Sequence, residues 1–143
     1  MSSLDTRTFP RGAPELNLIA MRDCAELCRQ CADTCLELVG NCVAHSGHDS
    51  GSSTNAQHLN LLLDCIDICG SSAASLRRGS PHHGMLCSAC AGVALLCATE
   101  CQKRGGDERM VRCAQICARC AEKCQRMAAE SPPRPVVPVT PVL

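Results

Sequence analysis

Aromatic side chains are almost missing from this chain: it has no Trp, no Tyr and one Phe, Phe9. Large aliphatic residues other than Leu are also few, so an ordinary core built on rings and branched chains is excluded. Formal net charge is absent too, with 14 basic side chains against 14 acidic. That balance leaves no basic field to draw in nucleic acid and no acidic tail. Long apolar runs are lacking, the longest being a few residues, so no membrane span is expected. The N-terminus, MSSLDTRTFPRGAPEL, has no basic n-region, no apolar h-region and no twin-Arg signal. A cytoplasmic location is therefore expected.

What the chain does have is cysteine, 15 residues in 143. That is about a tenth of the sequence and well outside ordinary usage. Residues 14–130 must bury something, and Cys with Ala and Leu is what they offer. A short secreted chain this rich in Cys would normally be a disulfide scaffold. An odd count forbids complete pairing within one chain. Such scaffolds are also loop-rich, whereas this chain reads as helical, so reduced thiols are the better expectation.

The punctuation predicts four helices. Pro14-Glu15 is a helix start, with Pro tolerated at the first position. The helical pattern runs to about Ala44 and stops in HSGHDSGSS. Thr54 and Gln57 have capping-box spacing for a second helix ending near Leu76, before Gly79. Ser80-Pro81 is read as the start of a third, which stops at Gly105-Gly106. Asp107 is placed to cap a fourth, reaching about Glu130. Residues 131–143 contain five Pro and are read as a flexible tail. Residues 1–13 are read as an N-terminal extension. Helices of about 24 residues are roughly 36 Å long. Short connections make neighbours antiparallel. The expected fold is all-α: an antiparallel up-down-up-down four-helix bundle over residues 14–130 with a cysteine-lined core. Gly40, Gly70 and Gly92 fall inside helices, where close helix packing is the expected reason.

The cysteines repeat. Cys24, Cys28, Cys31 and Cys35 are spaced 4-3-4, and Cys113, Cys117, Cys120 and Cys124 copy them. Cys87, Cys90, Cys97 and Cys101 fit the same frame with one position missing. Cys65 and Cys69 are a fragment of it, and Cys42 follows Cys35 by seven. Steps of three, four and seven share one helix face, which in a bundle is the core seam. Arg22, Asp23, Glu26, Arg29, Gln30 and Asp33 fall between the cysteines of the first helix, as expected for an outer face. Arg112, Gln115, Arg119, Glu122 and Lys123 do so on the fourth.

Cysteine as a small hydrophobe would explain one or two buried thiols. It does not explain a thiol at nearly every seam position. Soft thiolates favour Cu(I), Zn(II) and iron–sulfur clusters. The runs here, C-x3-C-x2-C-x3-C, differ from the ferredoxin pattern. The C-x2-C pairs Cys28/Cys31, Cys87/Cys90 and Cys117/Cys120 lie within helical periodicity, not on the turns usual for zinc. Four thiolates around Zn(II) leave a charge of −2, costly in a core whose seam carries no Lys or Arg. One Cu(I) per thiolate replaces one proton and keeps the core neutral. Six C-x3-C pairs, 24/28, 31/35, 65/69, 97/101, 113/117 and 120/124, are each expected to bracket an ion within one helix.

These repeated inward C-x3-C pairs, the four-helix layout and the near absence of aromatics resemble the bacterial copper storage proteins, over about residues 14–130. The resemblance implies many Cu(I) ions per chain; the charge argument adds about one per Cys, and no catalytic activity is expected. It implies a homotetramer of the cytosolic branch. It also implies His and Met ligands near the open end of the core.

Antiparallel register gives six expected layers. Cys42, His58, Cys101 and Met110 make the first, followed by Leu38, Leu62, Cys97 and Cys113. Cys35, Cys65, Val93 or Ala94, and Cys117 come next, then Cys31, Cys69, Cys90 and Cys120. Cys28, Ser72, Cys87 and Cys124 make the fifth, and Cys24, Leu76, His83 and Met127 the last. His58 and Met110 join the 15 cysteines as candidate ligands. They place the entrance at their end, beside His45 and His48, which read as solvated loop residues. The other end, with Met21, His82, His83, Met85 and Met127, is the alternative. The expected partners are Cu(I) and a copper chaperone or low-molecular-weight thiol as donor, with no nucleic acid and no membrane. The competing readings are another soft metal, such as zinc or cadmium, or a thiol redox protein using a C-x-x-C pair such as Cys117/Cys120.

Overall fold

The structure is a computed structural model that describes residues 14–44 and 56–130. The loop histidines 45 and 48, the Thr54 cap and the Pro-rich segment lie outside the described residues. Four helices form: α1 (Pro14–Ala44), α2 (Ala56–Arg77), α3 (His83–Lys103) and α4 (Glu108–Glu130). Each packs on two neighbours: α1 on α2 and α4, and α3 on α2 and α4. Cys24 meets Cys124 at one end of the α1/α4 seam and Cys35 meets Cys113 farther along, so the two run antiparallel. The up-down-up-down bundle is thus as the sequence implies.

The helix ends follow from local chemistry. Gly79, at φ +64°, closes α2 in a Schellman turn. Its N–H donates to Leu76 O at 3.1 Å, and the Ser80 N–H donates to Ser75 O at 3.0 Å. The start of α3 differs from the Ser80-Pro81 expectation, because the helix begins at His83 with His82 as its N-cap. Ser80 Oγ instead accepts from the His82 N–H at 3.1 Å, which tightens a separate turn before the helix. Asp107 caps α4 as expected, its Oδ1 accepting from the Arg109 N–H at 2.9 Å.

Every cysteine but Cys42 is buried, and Cys42 is half-buried. Leu38, Leu62, Leu76, Met110, Met127 and several alanines complete the core. Among the described residues its buried polar members are His58, Ser72 and Ser75. Gly40, Gly70 and Gly92 do not mark close packing within the bundle: among the described residues, a Cβ at any of them would meet nothing within 4 Å. All three lie on outward faces, where a helix periodicity argument cannot distinguish solvent from a neighbour.

By length and composition alone α2 and α3 are apolar enough to cross a membrane, as core helices of a bundle also can be. Cysteine and alanine supply much of that hydropathy, and in the bundle their thiols face the core. The outer face of α3 is nonetheless unusual. From Gly84 to Thr99 the helix has no Asp, Glu, Lys or Arg. Met85, Leu95 and Leu96 stand outward at 55, 58 and 60% exposure.

Candidate metal centre

The sulfurs form one connected network along the bundle axis. At one end Cys24, Cys87 and Cys124 group together. Next come Cys28, Cys90, Cys120 and Cys124, then Cys31, Cys69 and Cys120. Cys31, Cys35, Cys65 and Cys117 follow, and Cys35, Cys97, Cys113 and Cys117 end the series. Within each group the sulfurs lie within 4.8 Å of one another. Two metal–sulfur bonds of about 2.3 Å, the length typical for zinc, span about 4.6 Å in line. A soft ion placed between such sulfurs can therefore touch two or more of them. All the cysteines are free thiols.

The layers expected from register are recognisable in these groups. Cys69 lies 3.6 Å from Cys90 and 3.9 Å from Cys120, and Cys31 groups with Cys69 and Cys120. Cys31 lies 3.8 Å from Cys65, and Ala94, rather than Val93, fills the α3 position beside that layer. Sulfur contacts occur both inside single helices and between helices. Cys65–Cys69 at 4.0 Å and Cys113–Cys117 at 3.8 Å are contacts inside one helix. The shortest contacts cross between helices: Cys28–Cys124 at 3.5 Å and Cys31–Cys117 at 3.6 Å. The C-x3-C pairs 31/35, 113/117 and 120/124 each fall within one sulfur group, joined there by sulfurs of other helices.

At the other end of the network His58, 1% exposed, sets Nε2 3.3 Å from Cys101 Sγ. Burial lowers the His58 pKa, with the Arg104 charge adding to the effect, so its imidazole is held neutral. A neutral ring is the form that ligates a metal. Met110 is buried in the core. Cys42 and Cys101 fall outside the multi-sulfur groups. At the opposite end Met21 and Met127 are buried, and His83 donates from Nδ1 to Ser80 O at 2.8 Å. That ring nitrogen is engaged by its own turn.

The thiols influence one another strongly. Cys87 is pushed up to about 12: hydrogen bonding with Cys124 acts downward, but Cys24 and burial outweigh it. Cys117 is raised by hydrogen bonding with Cys113 and then with Cys31, Cys35 and Cys65. Cys65 is lowered, chiefly by Cys117 and then by Cys31 and Cys35. A thiolate among thiols is thus stabilised by its neighbours' S–H groups, while a second one beside it is opposed. Full deprotonation of this core needs a cation for each sulfur, or nearly so.

What register alone did not reveal is the continuity of sulfur contacts along α1 and α4. The signal was available in their identical 4-3-4 spacing on antiparallel helices.

Comparison with known proteins agrees with this chemistry. The model of the copper storage protein family (Csp) matches residues 20–129. Among curated proteins nothing matches. A Nitrosospira multiformis protein structure is 33% identical, with 80% of this chain and 97% of that chain covered and a TM-score of 0.67. A cytosolic copper storage protein from Streptomyces lividans, solved with five coppers, is 28% identical. It covers 80% of this chain and 96% of its own, with a TM-score of 0.71. The Cu(I)-bound Bacillus subtilis protein is 28% identical over 76% of this chain and 98% of that one, with a TM-score of 0.68. With a buried, connected thiol core along four antiparallel helices, this chain belongs to the copper storage protein family.

Proposed function

We propose that this protein stores Cu(I) in the cytoplasm, holding about one ion per core thiol. The observation that carries the reading is the connected network of buried free thiols, with no buried Lys or Arg among the described residues. Cu(I) suits it on charge: each ion replaces one proton, so the core remains neutral at any filling. Zn(II) or Cd(II) in a four-thiolate group would leave a net −2 in the same apolar surroundings. The proposed ligands are the 15 cysteines, with His58 and Met110 at the entrance. Cys101 beside the neutral His58 gives an arriving ion a mixed nitrogen–sulfur foothold next to Cys97 and Cys113. The donor is a low-molecular-weight thiol or a copper chaperone, which hands over the ion by thiolate exchange. The role is binding, with no turnover.

The uncharged outer face of α3, with Gly92, Leu95 and Leu96 exposed, supports assembly into a homotetramer. Large exposed apolar patches mark interaction surfaces.

The test is a titration of reduced apo-protein with Cu(I) against a chromophoric chelator. Saturation at about one Cu(I) per thiol is expected from soft-ligand matching. Saturation near one ion per chain, or preference for Zn(II) under equal competition, would overturn the storage reading. His58→Ala with Met110→Ala should slow loading while leaving capacity nearly intact.

A further inference from the structure

The core thiols are not equivalent. Along the α1/α4 seam the sulfurs alternate between the two helices in one zigzag. Cys24 meets Cys124 at 3.7 Å, and Cys124 meets Cys28 at 3.5 Å. Cys28 meets Cys120 at 3.8 Å, and Cys120 lies within 4.8 Å of Cys31. Cys31 meets Cys117 at 3.6 Å, Cys117 meets Cys35 at 3.8 Å, and Cys35 meets Cys113 at 3.7 Å. Two 4-3-4 cassettes running in opposite directions produce this alternation, because each sulfur of one helix falls between two of the other.

The α2 and α3 thiols sit differently. Cys65, Cys69, Cys87, Cys90 and Cys97 each belong to one sulfur group, as do Cys24, Cys28 and Cys113 at the α1/α4 seam. The sulfurs shared by two groups are Cys31, Cys35, Cys117, Cys120 and Cys124, all on α1 or α4. A sulfur shared by two groups can bridge two ions, whereas one confined to a single group serves one.

We propose that the α1/α4 zigzag is the track along which Cu(I) moves through the core, and that its shared sulfurs are the bridging ligands. The α2 and α3 thiols are then side ligands that complete each station. This rests on the storage reading and adds to it a route and a division of roles. The step is ligand exchange without redox change. As an ion bonds to the next sulfur, that thiol gives up its proton. As the bond behind breaks, the vacated sulfur takes a proton back. Spacings of 3.5 to 3.8 Å along most of the track let the ion touch the next sulfur before it leaves the last. Such overlap avoids a bare ion in an apolar core, which would be costly.

The test compares single substitutions in the full chain. Cys120→Ser and Cys31→Ser interrupt the track, while Cys69→Ser and Cys65→Ser remove side ligands from the groups that contain them. Circular dichroism and the apo melting midpoint check each fold, and the two pairs are independent should one variant fail to fold. Cu(I) capacity is read by chelator competition and loading by stopped-flow mixing. Side variants should each lose about one ion and load at the normal rate, since one soft ligand holds about one ion. Track variants should lose more than one ion and load about tenfold more slowly or worse, equivalent to a modest added barrier. Equal losses and equal rates in the two sets would overturn the track while leaving storage intact. A wild-type chain that saturates near one ion would overturn storage itself.

Discussion

The α1/α4 half and the α2/α3 half of this bundle spend their sequence differently. Helices α1 and α4 each carry an uninterrupted 4-3-4 run of cysteines inward and many charges outward. On α1, Arg29 pairs with Glu26 and with Asp33 at 2.6 Å, and on α4 Arg126 pairs with Glu122. Exposed pairs of this kind add little stability, but they keep those faces solvated. Helices α2 and α3 have broken runs inward. On α2, Leu62, Ser72 and Leu76 occupy seam positions, and on α3 Ala94 does. Outward, α3 is apolar and uncharged over four turns. On the proposed reading α1 and α4 supply the track, while α2 and α3 supply side ligands and the apolar cover.

The largest effect that tests this contrast is metal-induced stability. Binding at a free ligand concentration 1,000-fold above Kd stabilises the folded state by about 4 kcal/mol per site. For a chain of this size that raises Tm on the order of 10 °C for one such site. Filled wild-type protein should exceed this, and chelation should reverse it. Cys113→Ala, Cys117→Ala, Cys120→Ala and Cys124→Ala together should abolish most of the rise in calorimetry. Cys65→Ala with Cys69→Ala should leave most of it. If the two variants lose stabilisation in simple proportion to thiols removed, the halves are equivalent. The same titration in weak buffer should release about one proton per Cu(I). The apo thiols hold protons that the loaded thiolates do not, so apparent affinity should fall on acidification.

The outer faces give the next largest effect. Leu95→Glu with Leu96→Glu places two charges on the apolar face of α3. If a second copy packs there, light scattering should show dissociation to smaller species at micromolar concentration. Arg119→Glu on α4 should leave assembly unchanged. An unaltered mass for the α3 variant would move the interface elsewhere.

Much of this architecture is legible in the sequence. Cysteine spacing fixes which helix face turns inward, and Gly79, Gly106 and Asp107 mark ends by requirements of backbone and cap. Register then follows from short connections, which puts His58 in the same layer as Cys101, its neighbour at 3.3 Å. Ser80-Pro81 misled because a serine hydroxyl can close a turn as well as cap a helix. Sulfur contacts between helices are less legible, because periodicity describes one helix and the neighbour decides what lies beside its side chains. Gly40, Gly70 and Gly92 show the same limit on the outside.

Ser72 offers a smaller test on the inner side. Its hydroxyl donates to Leu86 O at 3.1 Å, at a seam position where the other three helices supply thiols. Ser72→Cys should repair the α2 run and raise capacity by about one ion, by soft-ligand matching. Losing the hydroxyl bond should cost the apo-protein about 1 kcal/mol in urea melts. An unchanged capacity would mean that this layer has no room for a further ion.

The smallest effect comes from the glycines. In an exposed helix interior, Gly→Ala stabilises by about 1 kcal/mol, because glycine loses more backbone entropy on folding. Gly40→Ala on α1 and Gly92→Ala on α3 meet no atom of the described residues, so each should gain that amount in a monomer. Their behaviour separates if another copy covers α3 alone. Gly40→Ala should then raise the urea midpoint at every protein concentration. Gly92→Ala should raise it only at low concentration and weaken assembly at high concentration, because the added methyl meets a neighbour rather than water. Equal gains at all concentrations would mean that the α3 glycine faces solvent, and the apolar outer face would need another occupant.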